Sequence, residues 1–194
     1  AALTAQVRPA QVPLSFAQQR MWFLNRFDTA SAVNNVPVAI TLTGKLDVSG
    51  LEQAVSDVIG RHEVLRTVYP EVDGVGYQKI LSAGDVSIDL GAERVTDDRI
   101  QAELYSFFAQ GFDVTVEVPL RAKLFQVADD DFVLSFVMHH ISTDGFSMGP
   151  LTRDVMTAYY ARTNGQAPTW TPLPVQYADY SLWQREVLGS EDDP

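Results

Sequence analysis

The stretch Asp131-Phe132-Val133-Leu134-Ser135-Phe136-Val137-Met138-His139-His140-Ile141-Ser142-Thr143-Asp144-Gly145-Phe146-Ser147 decides how this chain is read, because an apolar run ends there in two of the three histidines and an Asp-Gly pair. From Asp131 to Met138 the run is rich in β-branched and aromatic residues, the pattern of a strand covered on both faces. Strand side chains alternate, so His139 and His140 are expected to point to opposite faces, and at most one of them can address a given reacting atom. His140 shares parity with Phe132, Leu134, Phe136 and Met138. Asp144-Gly145 predicts a turn, and Ser147 can cap a helix carrying Leu151, Val155, Met156, Tyr159 and Tyr160. A helix N-terminus is therefore expected close to the histidines.

Residue types leave three readings of this constellation open: histidines that close a strand by local hydrogen bonds, ligands of a metal, or a general base on a rigid strand. The metal reading has less support, since adjacent strand histidines diverge and no helical Glu-x-x-His spacing accompanies them. A Gly-x-Ser-x-Gly elbow, a phosphate-binding glycine loop and cysteine are all absent from the sequence, which leaves a covalent hydrolase or a nucleotide enzyme without support.

Outward from this stretch, residues 1–13 read as a linker. Ser15 and Gln18 then form a capping box for a helix whose apolar set, Phe16, Met21, Trp22, Phe23, Leu24 and Phe27, predicts cover around much of its circumference, with a partner for Arg20. Val36, Val38, Ile40 and Leu42 alternate as a strand, with Pro37 marking its start or a sheet edge. Asp47 can cap a helix that buries Val48, Leu51, Ala54, Val55, Val58 and Ile59 and ends near Gly60. The charged run from Arg61 to Arg66 is either a solvated helix end, the commoner fate of such a run, or an internal network, and the apolar Val64 and Leu65 within it favour partial burial. Beyond it, Tyr77–Leu81 predicts a hairpin partner, Val86–Leu90 a short strand, and Thr96–Gln110 a helix stopped by Gly111. Leu120–Val127 and Phe132–His140 flank Asp129-Asp130 as a long antiparallel hairpin, and Val175–Leu188 forms a last helix after a Gly- and Pro-rich connector. Helices and antiparallel strands mix without βαβ regularity, so the fold class is α+β, a mixed and largely antiparallel sheet covered by helices.

The 194 residues, 46% hydrophobic, are enough for one sizeable core, and a net charge of -11 argues against nucleic acid or an anionic membrane as partner. No apolar window approaches a membrane span, and the absence of cysteine fits a cytoplasmic protein. The missing initiator Met suggests an excised piece.

Four stretches, in order, resemble signatures of the condensation domains of nonribosomal peptide synthetases: Ser15-Phe16-Ala17-Gln18-Gln19-Arg20-Met21-Trp22-Phe23-Leu24; Arg61-His62-Glu63-Val64-Leu65-Arg66-Thr67; Met138-His139-His140 through Asp144-Gly145-Phe146-Ser147; and Tyr177-Ala178-Asp179-Tyr180-Ser181-Leu182-Trp183. The His-x3-Asp-Gly core by itself is shared with wider acyltransferases related to chloramphenicol acetyltransferase. Phe146 stands where the family often has Trp, a small departure. The resemblance covers an N-terminal lobe, residues 14–189, followed by a tail at 190–194, and the family's later motifs in a C-terminal lobe are absent. It implies peptide-bond formation between donor and acceptor thioesters delivered on the phosphopantetheine of peptidyl carrier proteins, beside an adjoining adenylation domain, with no cofactor or metal held by this chain. By the same resemblance His140 is the catalytic residue, His139, Asp144 and Gly145 support it, and Asp144 pairs structurally with Arg61 or, second, Arg66. The isolated lobe is expected to be inactive. Rival expectations are a carrier-docking module without catalysis and a coenzyme A dependent acyltransferase of the same fold.

Overall fold

Strand alternation builds the centre of the molecule. A computed structural model of the chain describes residues 1–143 and 146–189. In chain order it runs β1 (Val12–Pro13), α1 (Phe16–Phe27), β2 (Asn35–Thr43), α2 (Val48–Arg61), β3 (Thr67–Val68), β4 (Glu71–Val72), β5 (Val75–Ile80), β6 (Glu93–Arg94), α3 (Ile100–Phe108), β7 (Leu120–Ala128), β8 (Asp131–His139), α4 (Met148–Thr163) and α5 (Tyr177–Leu188). The main sheet has the order β2-β8-β7-β6, antiparallel except for the parallel β6–β7 pair, and the second joins β1, β5 and β3, with β4 also on β5. The α+β class and the largely antiparallel sheet are as expected, and β2, which holds Pro37, lies at the sheet edge.

Register puts like with like. Val36, Val38, Ile40 and Leu42 of β2 stand opposite Met138, Phe136, Leu134 and Phe132 of β8. On the other side, Leu120, Ala122 and Leu124 of β7 meet Met138, Phe136 and Leu134. This face packs on Leu51, Val55 and Val58 of α2 and on Leu151, Val155 and Ala158 of α4. Both helices present apolar residues at helical spacing, and Asp47 caps α2 by accepting the Gly50 N–H at 3.0 Å. On the opposite face Val137 and Ile141 join Trp22, Tyr69, Phe112 and Val114, and Phe125 joins Ile100 and Leu104 of α3.

α1 departs from expectation. Its capping box forms as read, with Ser15 Oγ accepting the Gln18 N–H and Gln18 Oε1 accepting the Ser15 N–H. Its buried face, however, is Gln18, Trp22 and Asn25, whereas Phe23 (58%), Leu24 (50%) and Phe27 (75%) are exposed. The reason lies in what the neighbouring backbone needs. Gln18 donates to the Tyr69 hydroxyl, Trp22 Nε1 donates to the Tyr69 carbonyl at 2.8 Å, and Asn25 serves both the Phe112 carbonyl and the Val114 N–H. Polar partners thus select the inward face over hydrophobic count. Arg20 is exposed and needs no internal partner.

Three further boundaries are corrected. Val86–Leu90 forms no strand. It is irregular chain after a 3-10 turn at Ala83–Asp85, although the Leu90 carbonyl accepts the Leu124 N–H. The helix expected over 96–110 is only Ile100–Phe108, preceded by a turn that the Arg99 N–H closes on the Thr96 carbonyl. Gly111 is required by close approach rather than as a helix stop, since a β-carbon there would overlap the Thr29 and Ala30 backbone. The expected linker is tied down in part: β1 pairs with β5, the Gln6 N–H donates to Asp179, and Arg8 bridges Asp179 and Glu63.

Gly111→Ala should therefore lose about 1–3 kcal/mol of stability through overpacking. Gly149→Ala, within α4 and with open space around its added carbon, should be neutral or gain up to about 1 kcal/mol. Urea unfolding of the two variants beside the parent checks both directions.

Candidate functional site

The end of β8 separates the two histidines by environment. His139 is the last strand residue, opposite Asn35, and is 2% exposed with the Phe112 ring edge-on at 6.0 Å. Its Nδ1 accepts the Ile141 N–H at 3.0 Å, so its proton resides on Nε2. Burial, with the nearby His140 adding to it, pulls its pKa down to about 4. His139 is thus a neutral structural histidine that shapes the turn after it.

His140 leaves the strand. It begins a 3-10 turn at His140–Ser142 and is exposed, so the divergence of the two rings comes from the end of the strand rather than from continued alternation. Its N–H donates to the Asn34 carbonyl at 2.9 Å. The Thr143 hydroxyl donates to the His140 carbonyl at 2.9 Å, and the same oxygen lies 3.2 Å from His140 Nδ1. Because that hydroxyl proton is already committed, Nδ1 carries the hydrogen of this contact, and in the neutral imidazole Nε2 is then the acceptor nitrogen. The turn is further fixed by Ser142 Oγ donating to the His139 carbonyl and by the Thr143 N–H donating to the His140 carbonyl. An exposed imidazole with a free Nε2 on a braced turn can accept a proton or hold an amine by hydrogen bonding.

Asp144 and Gly145 lie outside the described residues, and so does the expected ion pair of Asp144 with Arg61 or Arg66. The two arginines themselves are placed. Arg66 donates to the carbonyls of Ile59, Gly60 and Leu81, serving the C-terminal end of α2. Arg61 donates to the Thr171 carbonyl at 2.6 Å, stacks over Trp170 at 4.8 Å, and brings Nε to 3.7 Å from Asp154. Of the two readings of this charged run, the internal network is the one present, with Val64 and Leu65 buried within it.

The pairing that the sequence reading missed is His62 with Asp154. His62 Nε2 lies 2.8 Å from Asp154 Oδ2, and its ring sits 4.0 Å from that of Phe146. Burial holds the His62 imidazole below the usual histidine value, Asp154 pulls it up and Arg61 pushes it down. The partners are 92 positions apart. The only local signal was a carboxylate on α4 directly before the inward-facing Val155. Asp179, in the last of the four stretches, is 2% exposed and caps α5 by accepting the Gln176 N–H at 2.8 Å. Among the described residues no group of three or more His, Asp or Glu side chains is gathered to hold a metal ion, and no helix is long and apolar enough to cross a membrane.

Comparison with known proteins adds to this geometry. The model of the condensation domain family matches residues 9–193. The isonitrile lipopeptide synthase of Mycobacterium tuberculosis is 50% identical over 194 residues, covering 98% of this chain and 8% of that protein. The dimodular nonribosomal peptide synthase of Bacillus subtilis is 46% identical over 193 residues, covering 100% of this chain and 8% of the relative. Among solved structures, the X-domain from teicoplanin biosynthesis, known alone and in complex with OxyB, superposes with a TM-score of 0.91 at 38% identity, covering 100% of this chain and 42% of that one. The chain thus spans a small fraction of these synthases and under half of the X-domain.

The His139 environment predicts a pH dependence of stability. Between about pH 6.5, where an unfolded histidine titrates, and about pH 4, the unfolded state binds a proton that folded His139 does not. Stability contributed by neutral His139 is therefore present above about pH 6.5 and declines as the pH falls toward 4. Urea melts across this range should show that decline, and His139→Gln should reduce its slope. His62, also shifted down, leaves a residual slope of the same sign.

Proposed function

Because the chain belongs to the condensation-domain family of nonribosomal peptide synthetases, we propose that it forms the N-terminal half of a site for amide-bond formation in which His140 is the reacting group. The observation that carries this reading is the exposed His140 imidazole, presented by a turn whose backbone is pinned to β2's approach and to Thr143, with Nε2 left as an acceptor.

In the proposed step the neutral α-amine of an acceptor aminoacyl thioester attacks the carbonyl carbon of a donor acyl thioester. A C–N bond forms, the C–S bond breaks, the amine gives up one proton and the departing thiolate takes one up. His140 Nε2 receives or holds the amine proton and aligns its lone pair. A positioned base contributes about 10² to 10⁴ in rate, and alignment contributes further. Both substrates arrive on the phosphopantetheine of peptidyl carrier proteins, so this chain supplies no cofactor of its own. On the family's pattern Asp144 is assigned to a structural pair with Arg61, and Gly145 to the space beside the substrate. Arg61 rather than Arg66 is preferred, because Arg66 already serves three carbonyls. The remaining lobe of the domain closes the site, and this lobe alone is inactive.

A second reading has one observation in its favour. The X-domain, which superposes closely on this chain, is seen in complex with OxyB, and a lobe of this shape could likewise serve to dock a partner protein. The two readings part at His140. In a complete synthetase carrying His140→Ala, dipeptidyl thioester formation, followed by mass spectrometry of the loaded carriers, should fall by at least about 10² while the melting temperature stays unchanged. Undiminished product from the folded variant would leave docking as the function.

A further inference from the structure

Resting on the assignment of His140 as the reacting group, we infer that Thr143 is a positioning residue that fixes which nitrogen of His140 carries the hydrogen and how the ring is held. Two groups of Thr143 meet His140. The hydroxyl donates to the His140 carbonyl at 2.9 Å, and the N–H closes the turn on the same carbonyl at 3.2 Å. The hydroxyl oxygen also lies 3.2 Å from His140 Nδ1. With its proton given to the carbonyl it can only accept, so the ring supplies the hydrogen from Nδ1. The opposite tautomer would set two lone pairs against each other across this contact. In a histidine the hydrogen bond made by one ring nitrogen decides the state of the other, and among the described residues Thr143 is the only side chain that hydrogen-bonds the His140 ring. The turn's other side chains are spent elsewhere: Ile141 is buried with Trp22 and Tyr69, and Ser142 Oγ donates to the His139 carbonyl.

The same contact strengthens as the proposed reaction proceeds. When an amine proton reaches Nε2, the ring becomes a cation whose Nδ1–H still points at the Thr143 oxygen, and a hydrogen bond from a charged donor is about twice as strong as a neutral one. That gain is made while the proton arrives and is absent from the resting site, so it raises kcat and leaves substrate binding alone. Thr143 is suited to the task because its β-branch restricts χ1 and holds the oxygen in one place. It touches no reacting atom and acts through the imidazole of His140.

The test compares Thr143→Val, which keeps the shape and loses the hydroxyl, with Thr143→Ser, which keeps the hydroxyl. In the complete synthetase module, with the loaded donor carrier supplied in trans, Thr143→Val should lower kcat about 10- to 100-fold and leave KM for the donor carrier within about twofold, while Thr143→Ser should stay within about threefold of the parent. The backbone N–H on the His140 carbonyl survives in both, which favours a closed turn. Folding is followed by thermal melting, and Thr143→Ala takes the place of Thr143→Val if that variant does not fold. The second readout is the tautomer itself. The 194-residue chain holds three histidines, so labelling them with nitrogen-15 gives a sparse spectrum, in which His140 is identified by its loss in His140→Ala. At about pH 8, where histidine is neutral, the hydrogen should sit on Nδ1 in the parent and in Thr143→Ser. In Thr143→Val it should move toward Nε2, the nitrogen that a free histidine prefers in water. Parental kcat in folded Thr143→Val overturns the inference, as does equal damage from Thr143→Ser and Thr143→Val. So does an unchanged His140 tautomer in Thr143→Val, which would leave Thr143 as a brace of the turn alone. Turnover of His140→Ala is measured in parallel: product persisting there removes the underlying assignment and this inference with it, whereas loss there with parental turnover in Thr143→Val removes this inference alone.

Discussion

The structure depends on β8 being paired along both edges and buried on both faces. A strand in that position has no freedom of register, because a slip by one residue would exchange its core-facing set, Phe132, Leu134, Phe136 and Met138, for Val133, Ser135 and Val137. Ser135 shows how tightly this is managed: fully buried, it gives its hydroxyl proton to the Lys123 carbonyl of β7. The rigidity that follows is what a functional group at the strand end requires. Groups on regular elements are held more accurately than those on loops, and His140, the proposed reacting group, sits one residue past this doubly paired strand.

Much of this was legible in the sequence because it rests on local rules. Alternation in β2 and β8, the apolar stripe of α2, the Asp47 cap and the Ser15–Gln18 capping box are each written within a few consecutive residues, and each appears where it was read. The failures share a cause as well. α1 was misread because its buried face is set by backbone groups of Tyr69, Phe112 and Val114, far away in sequence. The run Val86–Leu90 has strand-like residues but does not join the sheet: β7 takes Glu93–Arg94 as its outer neighbour, and Leu90 contributes a single carbonyl. Propensity gave way to tertiary context at both places.

The same division holds at the site. His140 is singled out by the family resemblance and not by its strand, and the opposite environments of the two histidines are not written in the local sequence. Partial burial of the second signature was expected from Val64 and Leu65, whereas the partners that make it a network, Asp154 for His62 and Thr171 with Trp170 for Arg61, lie on α4 and in the following connector. Long-range pairing leaves almost no trace in a single sequence, because either residue alone reads as an ordinary surface charge.

The two adjacent histidines show how a strand end makes different chemistry from identical side chains. On His139, Nδ1 is consumed by the Ile141 N–H, the ring is enclosed, and the neutral form is enforced across the physiological range. On His140, Nδ1 faces an oxygen whose proton is already given to the residue's own carbonyl, so the ring's free nitrogen is Nε2, on the exposed side. One ring spends its lone pair on building the turn, and that turn lets the other keep its own. His139 is therefore a condition for the role proposed for His140: without the Ile141 N–H satisfied at His139, the 3-10 turn that orients His140 would leave a buried donor without a partner, a cost of about 1–3 kcal/mol.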